Sequence, residues 1–100
     1  MKKVITYGTF DMLHIGHIRL LESAKKESDL LILGLISDKA ILSWHGTLVS
    51  SYEERLSVLR GVKYVDEIRQ QDSFDPLPNL RSIHEKYPDA KIILYVGNDR

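Results

Sequence analysis

One hundred residues make a single small domain with room for one core. A hydrophobic share of 43% and a charged share of 28% are ordinary for a globular fold and exclude a disordered, collagenous or coiled-coil chain. Fourteen basic and fourteen acidic side chains cancel and neither half is basic, so bulk binding to nucleic acid or to a membrane surface has no electrostatic support and any anion site must be local.

The chain has no cysteine, which removes disulfides, thiolate nucleophiles, zinc ribbons and iron–sulfur clusters. Its longest apolar run, 30–36, is too short to cross a bilayer. The apolar stretch after Lys2 and Lys3 is too short for a signal peptide. A cytoplasmic setting is the expectation.

In chain order, residues 2–7 read as a strand, because Val4, Ile5, Thr6 and Tyr7 are β-branched or aromatic and lead into Gly8. Residues 8–16 read as a loop. Residues 17–26 follow the helical period, with Ile18, Leu21 and Ala24 on one face. Residues 30–36 are continuously apolar, as in a parallel strand buried on both faces. Residues 37–50 read as a loop. Ser51 and Glu54 form a capping box for a helix over 52–60, which turns Leu56 and Leu59 to the core and ends at Gly61. Residues 64–69 suggest a short strand, and 70–75 a loop. Pro76 and Pro78 suit the first turn of a helix reaching about Tyr87, and 91–96 form the last strand.

The order β-α-β-α-β-α-β implies an α/β fold, a Rossmann-like open parallel sheet with flanking helices. Ligands of such sheets bind beyond the carboxyl ends of the strands, here 8–16, 37–50, 70–75 and 97–100. The chain stops inside that edge, so it is expected to be a piece of a longer protein.

The strongest chemical feature runs Gly8-Thr9-Phe10-Asp11-Met12-Leu13-His14-Ile15-Gly16-His17. Gly8 lets the backbone approach a ligand, and Thr9 offers a hydroxyl and an N–H. Gly16 opens the start of a helix, where free N–H groups and the helix dipole attract anions. Two imidazoles aimed at one place donate to phosphate oxygens as charge builds up. The competing readings are two surface histidines at a helix start, or a metal pair. Zinc would need further ligands, and besides carboxylates only His45 and His84 remain.

This segment resembles the signature of the cytidylyltransferase-like nucleotidyltransferases, and within them the glycerol-3-phosphate branch. The resemblance continues through residues 18–25, Asp29, Ser51–Arg55 and Lys63–Glu67, and Gly97-Asn98-Asp99 is similar to the family's glycine-acid turn. It implies a nucleotidyltransferase that moves CMP from CTP onto a small alcohol phosphate, glycerol 3-phosphate first, releasing pyrophosphate without a covalent intermediate. His14 and His17 would be catalytic. Gly8, Thr9, Phe10 and Gly16 would join them in binding nucleotide. Asp11, Arg55, Lys63 and Asp99 would support the site. Mg²⁺ would ride on the phosphates rather than in a protein cage. The resemblance also implies a homodimer, joined near Ser51–Arg55 and Lys63–Glu67. For Ser51 and Glu54 capping suffices as an explanation. Arg55 divides between a solvated helical turn and a site role.

Two departures from the family pattern stand out. The loop after the second strand should carry lysines for the nucleotide phosphates, but Trp44 and Gly46 stand there. Lys39 comes earlier, and His45 would substitute only when protonated. The family's closing Ile-Ser-Thr-Thr-like stretch is also absent. Residues 1–100 alone are therefore expected to transfer cytidylyl groups poorly. The rival readings are a non-catalytic nucleotide-binding module, or an adenylyl-transferring member of the superfamily. An aminoacyl-tRNA synthetase would share His-Ile-Gly-His, but those chains are longer and carry a lysine-rich second motif that this chain lacks.

Overall fold

The computed structural model describes residues 2–11, 15–43 and 50–95. Four strands, β1 (Lys2–Gly8), β2 (Leu30–Ile36), β3 (Glu67–Gln71) and β4 (Lys91–Leu94), form one parallel sheet in the order β3-β2-β1-β4. Four helices lie between them: α1 (Ile15–Lys26), α2 (Asp38–Ser43), α3 (Tyr52–Leu59) and α4 (Leu77–Lys86).

Alternation along the strands builds two cores. Val4, Leu31, Leu33 and Leu35 meet Leu21 and Ala24 of α1 and Leu59 of α3 on one face. Ile5 and Ile32 meet Ile83 of α4 on the other, where Ile36 also packs with Ala40 and Ile41 of α2. Both faces of β2 are covered, which is why its run is apolar without alternation.

The structure corrects several boundaries. The segment read as a loop over 37–50 contains α2, whose Ala40 N–H is capped by the Ser37 hydroxyl at 3.2 Å. The third strand starts at Glu67, not Tyr64, and helix α1 begins at Ile15, ahead of His17. Gly61 does not act as a left-handed cap: α3 ends on right-handed Arg60, and no described glycine has a positive φ. The Ser51–Glu54 capping box is present, with both reciprocal bonds made.

At the amino edge, Asp66 fastens β3 to its neighbours. Its Oδ2 accepts the Leu31 N–H at 2.8 Å and the Lys25 ammonium at 2.6 Å. Beyond Ile36, the Ser37 N–H donates to the Gln71 carbonyl at 2.9 Å. The chain thus steps outward from β1 to β2 and β3, then returns through α4 to the other side of β1. Strand order reverses between β1 and β4, so the carboxyl end of β1 lies at a topological switch point.

Candidate active site

The segment leaving β1 at that switch point is the glycine-histidine segment. Gly8, Thr9, Phe10, Asp11, Gly16 and His17 are placed there together. His14 lies outside the described residues, as do Trp44, His45, Gly46 and Asp99. Gly16 and His17 occupy the second and third positions of α1, at the positive end of its dipole. The partly buried His17 imidazole packs on Phe10, with centroids 5.3 Å apart and planes tilted by 54°.

Gly8 has a role that the sequence did not reveal. A Cβ there would lie 3.1 Å from Cε2 of Phe10, so the missing side chain makes room for a neighbouring ring. Phe10 is 5% exposed and takes φ 49°, in the left-handed region that suits glycine.

Arg55 is the second residue whose role was hidden. It is not on a solvated helical turn: it is 2% exposed. Its Nη1 donates to the carbonyl oxygens of Thr9 and Ile36, each at 2.8 Å, and its Nη2 meets Asp38 Oδ1 at 2.6 Å. One guanidinium therefore joins the loop after β1, the end of β2 and the first turn of α2, the planar fork serving three acceptors at once. Asp11 ties the same loop to the entry of α3, its Oδ1 accepting the Ser50 N–H at 2.9 Å. The residue pattern alone offered for Arg55 only a charge one turn into a capped helix, which solvated arginines share; the site role came from the family resemblance.

Lys63 is not brought to this cluster within the chain. It precedes β3, at the opposite, amino edge of the sheet, exposed and with its ammonium 5.2 Å from the Tyr64 ring centroid.

One groove among the described residues lies away from the loop. It has a volume of about 550 Å³ and opens between α3 and β3, past Tyr52, Leu56, Arg60, Asp66 and Glu67. Two carboxylates against one arginine make it a poor triphosphate site. The loop, with a helix amino end, an imidazole and two ties through Thr9 and Asp11, is the candidate for binding phosphate.

The sequence profile described as cytidylyltransferase-like matches residues 5–100. The chain belongs to that family. Over 75 residues this cytidylyltransferase-like chain is 45% identical to glycerol-3-phosphate cytidylyltransferase from Bacillus subtilis (strain 168), an alignment covering 75% of this chain and 58% of that protein. The chain thus spans less than two thirds of that relative. The bifunctional protein HldE of Wolinella succinogenes is 39% identical over 100 residues, covering 98% of this chain and 20% of HldE. Among solved structures, a lipopolysaccharide core biosynthesis protein from Thermoplasma volcanium superposes with a TM-score of 0.75 at 21% identity, covering 99% of both chains, and shows the same fold.

Proposed function

We propose that this cytidylyltransferase-like domain transfers CMP from CTP to a small alcohol phosphate, with glycerol 3-phosphate as the acceptor, yielding a CDP-alcohol and pyrophosphate. The observation that carries the reading is the Gly8–His17 segment at the switch point, with His17 in the first turn of α1. The identity to a glycerol-3-phosphate cytidylyltransferase supports the choice of acceptor.

A phosphate oxygen of the acceptor attacks the α-phosphorus of CTP in line. A new P–O bond forms as the bond to the pyrophosphate oxygen breaks, and the electron pair leaves with pyrophosphate. The nucleophile is already an oxyanion, so no general base is required, and catalysis is positioning plus charge stabilisation. His17, with His14 beside it in the motif, donates to oxygens that gain charge, and the backbone of Thr9 and Phe10 lies along the nucleotide.

Magnesium belongs to this reading as a counter-ion that would arrive with the triphosphate and would offset its negative charge. Among the described residues no group of three metal-ligating side chains gathers. Asp11 and Asp38 already hold Ser50 and Arg55. In this reading the ion is carried by the nucleotide rather than by a protein cage.

A homodimer in the cytoplasm completes the proposal. The groove between α3 and β3 opens in the region where sequence resemblance puts the dimer contact. Sedimentation of the full-length protein at micromolar concentration should show a dimer, and a monomer would remove this element.

The deciding experiment measures pyrophosphate release by the full-length protein with Mg²⁺, glycerol 3-phosphate and either CTP or ATP. Release with CTP that depends on the acceptor is expected. CTP binding without turnover would select a nucleotide-binding module, and turnover with ATP alone would select an adenylyltransferase.

A further inference from the structure

Phe10 combines three features that a core phenylalanine does not need. Its backbone sits at φ 49°, and it is the one non-glycine residue with positive φ among the described residues. A negative φ is cheaper for an aromatic residue, so the surroundings must hold this one in place. The flanking groups do so: Arg55 holds the Thr9 carbonyl at 2.8 Å, and Asp11 holds the Ser50 N–H at 2.9 Å. The ring then lies in the space that Gly8 leaves open and packs on the His17 imidazole.

We propose that Phe10 is a positioning residue for His17: its buried ring, locked by a strained and doubly anchored backbone, fixes the orientation from which the imidazole donates to phosphate. The proposal rests on the reading of His17 as a phosphate donor and adds to it a residue that acts through another. The Phe10 ring, tilted by 54° against one side of the imidazole, limits rocking about χ2, a torsion that is intrinsically broad. A donor that is preorganised needs no reorientation as charge develops, and that is where its value lies. Arg55 and Asp11 then act on the site at one further remove, through the backbone of Phe10.

The test uses the full-length protein with Phe10→Leu, Phe10→Tyr, His17→Ala and the double variant Phe10→Leu/His17→Ala. Misplacing a catalytic group by about 1 Å costs roughly 100-fold in rate, so Phe10→Leu should lower kcat by about tenfold or more while KM for CTP moves less than about threefold. Phe10→Tyr should recover most of that loss. The double variant should be no slower than His17→Ala alone, because a ring that acts through His17 has nothing left to position. The His17 imidazole resonances should shift and broaden in Phe10→Leu.

A lowered melting temperature with unchanged kcat and unchanged His17 resonances would make Phe10 a core residue only and overturn the proposal. A fold loss in kcat in the double variant equal to the product of the two single fold losses would also overturn it. If Phe10→Leu does not fold, Phe10→Met is judged on the same measurements. If the wild-type protein transfers no nucleotide, the functional reading fails, and the His17 resonances in the Phe10 variants still decide whether the ring orients the imidazole.

Discussion

The Arg55 guanidinium lies 2.8 Å from both the Thr9 and the Ile36 carbonyl oxygens, continuing the β1–β2 pairing one step past its last backbone partners, Gly8 and Leu35. A side chain from α3 thereby does the work of a strand residue where the two chains diverge. Arg55→Lys keeps the charge but offers no planar fork, and should cost about 1–3 kcal/mol through acceptors left unsatisfied. Arg55→Ala should cost roughly 3–5 kcal/mol, the range for breaking a buried pair, and fall at its low end. Asp38 is 39% exposed and stays hydrated when its partner leaves. Urea unfolding checks both, and equal midpoints for Lys and Arg would show that the fork is dispensable.

His17→Ala tests the donor role. Loss of one preorganised donor typically lowers kcat by about 10²–10³-fold with little change in KM for CTP. A histidine that only caps the helix would instead cost about 1 kcal/mol in stability with normal turnover. Measuring kcat and the melting temperature on the same variant separates the two.

Gly34 is required by its neighbours. A Cβ there would lie 2.6 Å from Oε1 of Gln71 and 3.3 Å from Cβ of Tyr7. Gln71 is 3% exposed and its Nε2 donates to the Ser73 carbonyl at 2.9 Å, so the amide yields only by giving up that bond. Gly34→Ala should cost about 1–3 kcal/mol, as overpacking does. The penalty should shrink in a Gln71→Ala background, because the two sites share one clash. Full additivity in thermal melts would show that the strain lies elsewhere.

Asp66 sets an acid limit on stability. Burial alone disfavours its carboxylate and is the largest single influence. The Leu31 N–H and the Lys25 ammonium together outweigh it, and the pKa falls below the ordinary value. The folded state therefore binds the Asp66 proton less readily than the unfolded chain. The stabilisation is complete above the ordinary carboxylate range and is lost as pH falls through the lowered pKa. Asp66→Asn should flatten the acid limb of a stability–pH curve, and an unchanged limb would remove this account.

The parallel α/β architecture was legible from residues 30–36 and from the alternation of helix and strand. The capping box was legible from Ser51 and Glu54. Helix α2 was missed because Asp38–Ser43 is less than two turns long. Its signals were the Ser37 cap and Asp38 in the first turn. The third strand was placed too early because Tyr64 and Val65 have strong strand propensity, whereas Glu67–Gln71 forms the strand only through pairing with β2. Of the candidate site, the motif was readable, but the tie from Arg55 to Thr9 was not. It spans 46 residues and depends on where α3 comes to rest.

The strand order has a consequence for synthesis. Strand β1, made before β2, β3 and β4, sits inside the sheet, and among the described residues the side facing away from β2 pairs with Lys91–Leu94, while its Ile5 carbonyl accepts the Tyr95 N–H at 2.8 Å. Until those residues leave the ribosome, the nascent domain can form β1-β2-β3 but leaves the backbone of Lys2–Ile5 unpaired. Open strand edges recruit other chains, so this interval is when the polypeptide is most exposed to off-pathway association. Closure by β4 covers that edge at the same moment that it creates the crevice beside Gly8, so a chain in which the candidate site has formed is also one that has already passed its point of greatest risk.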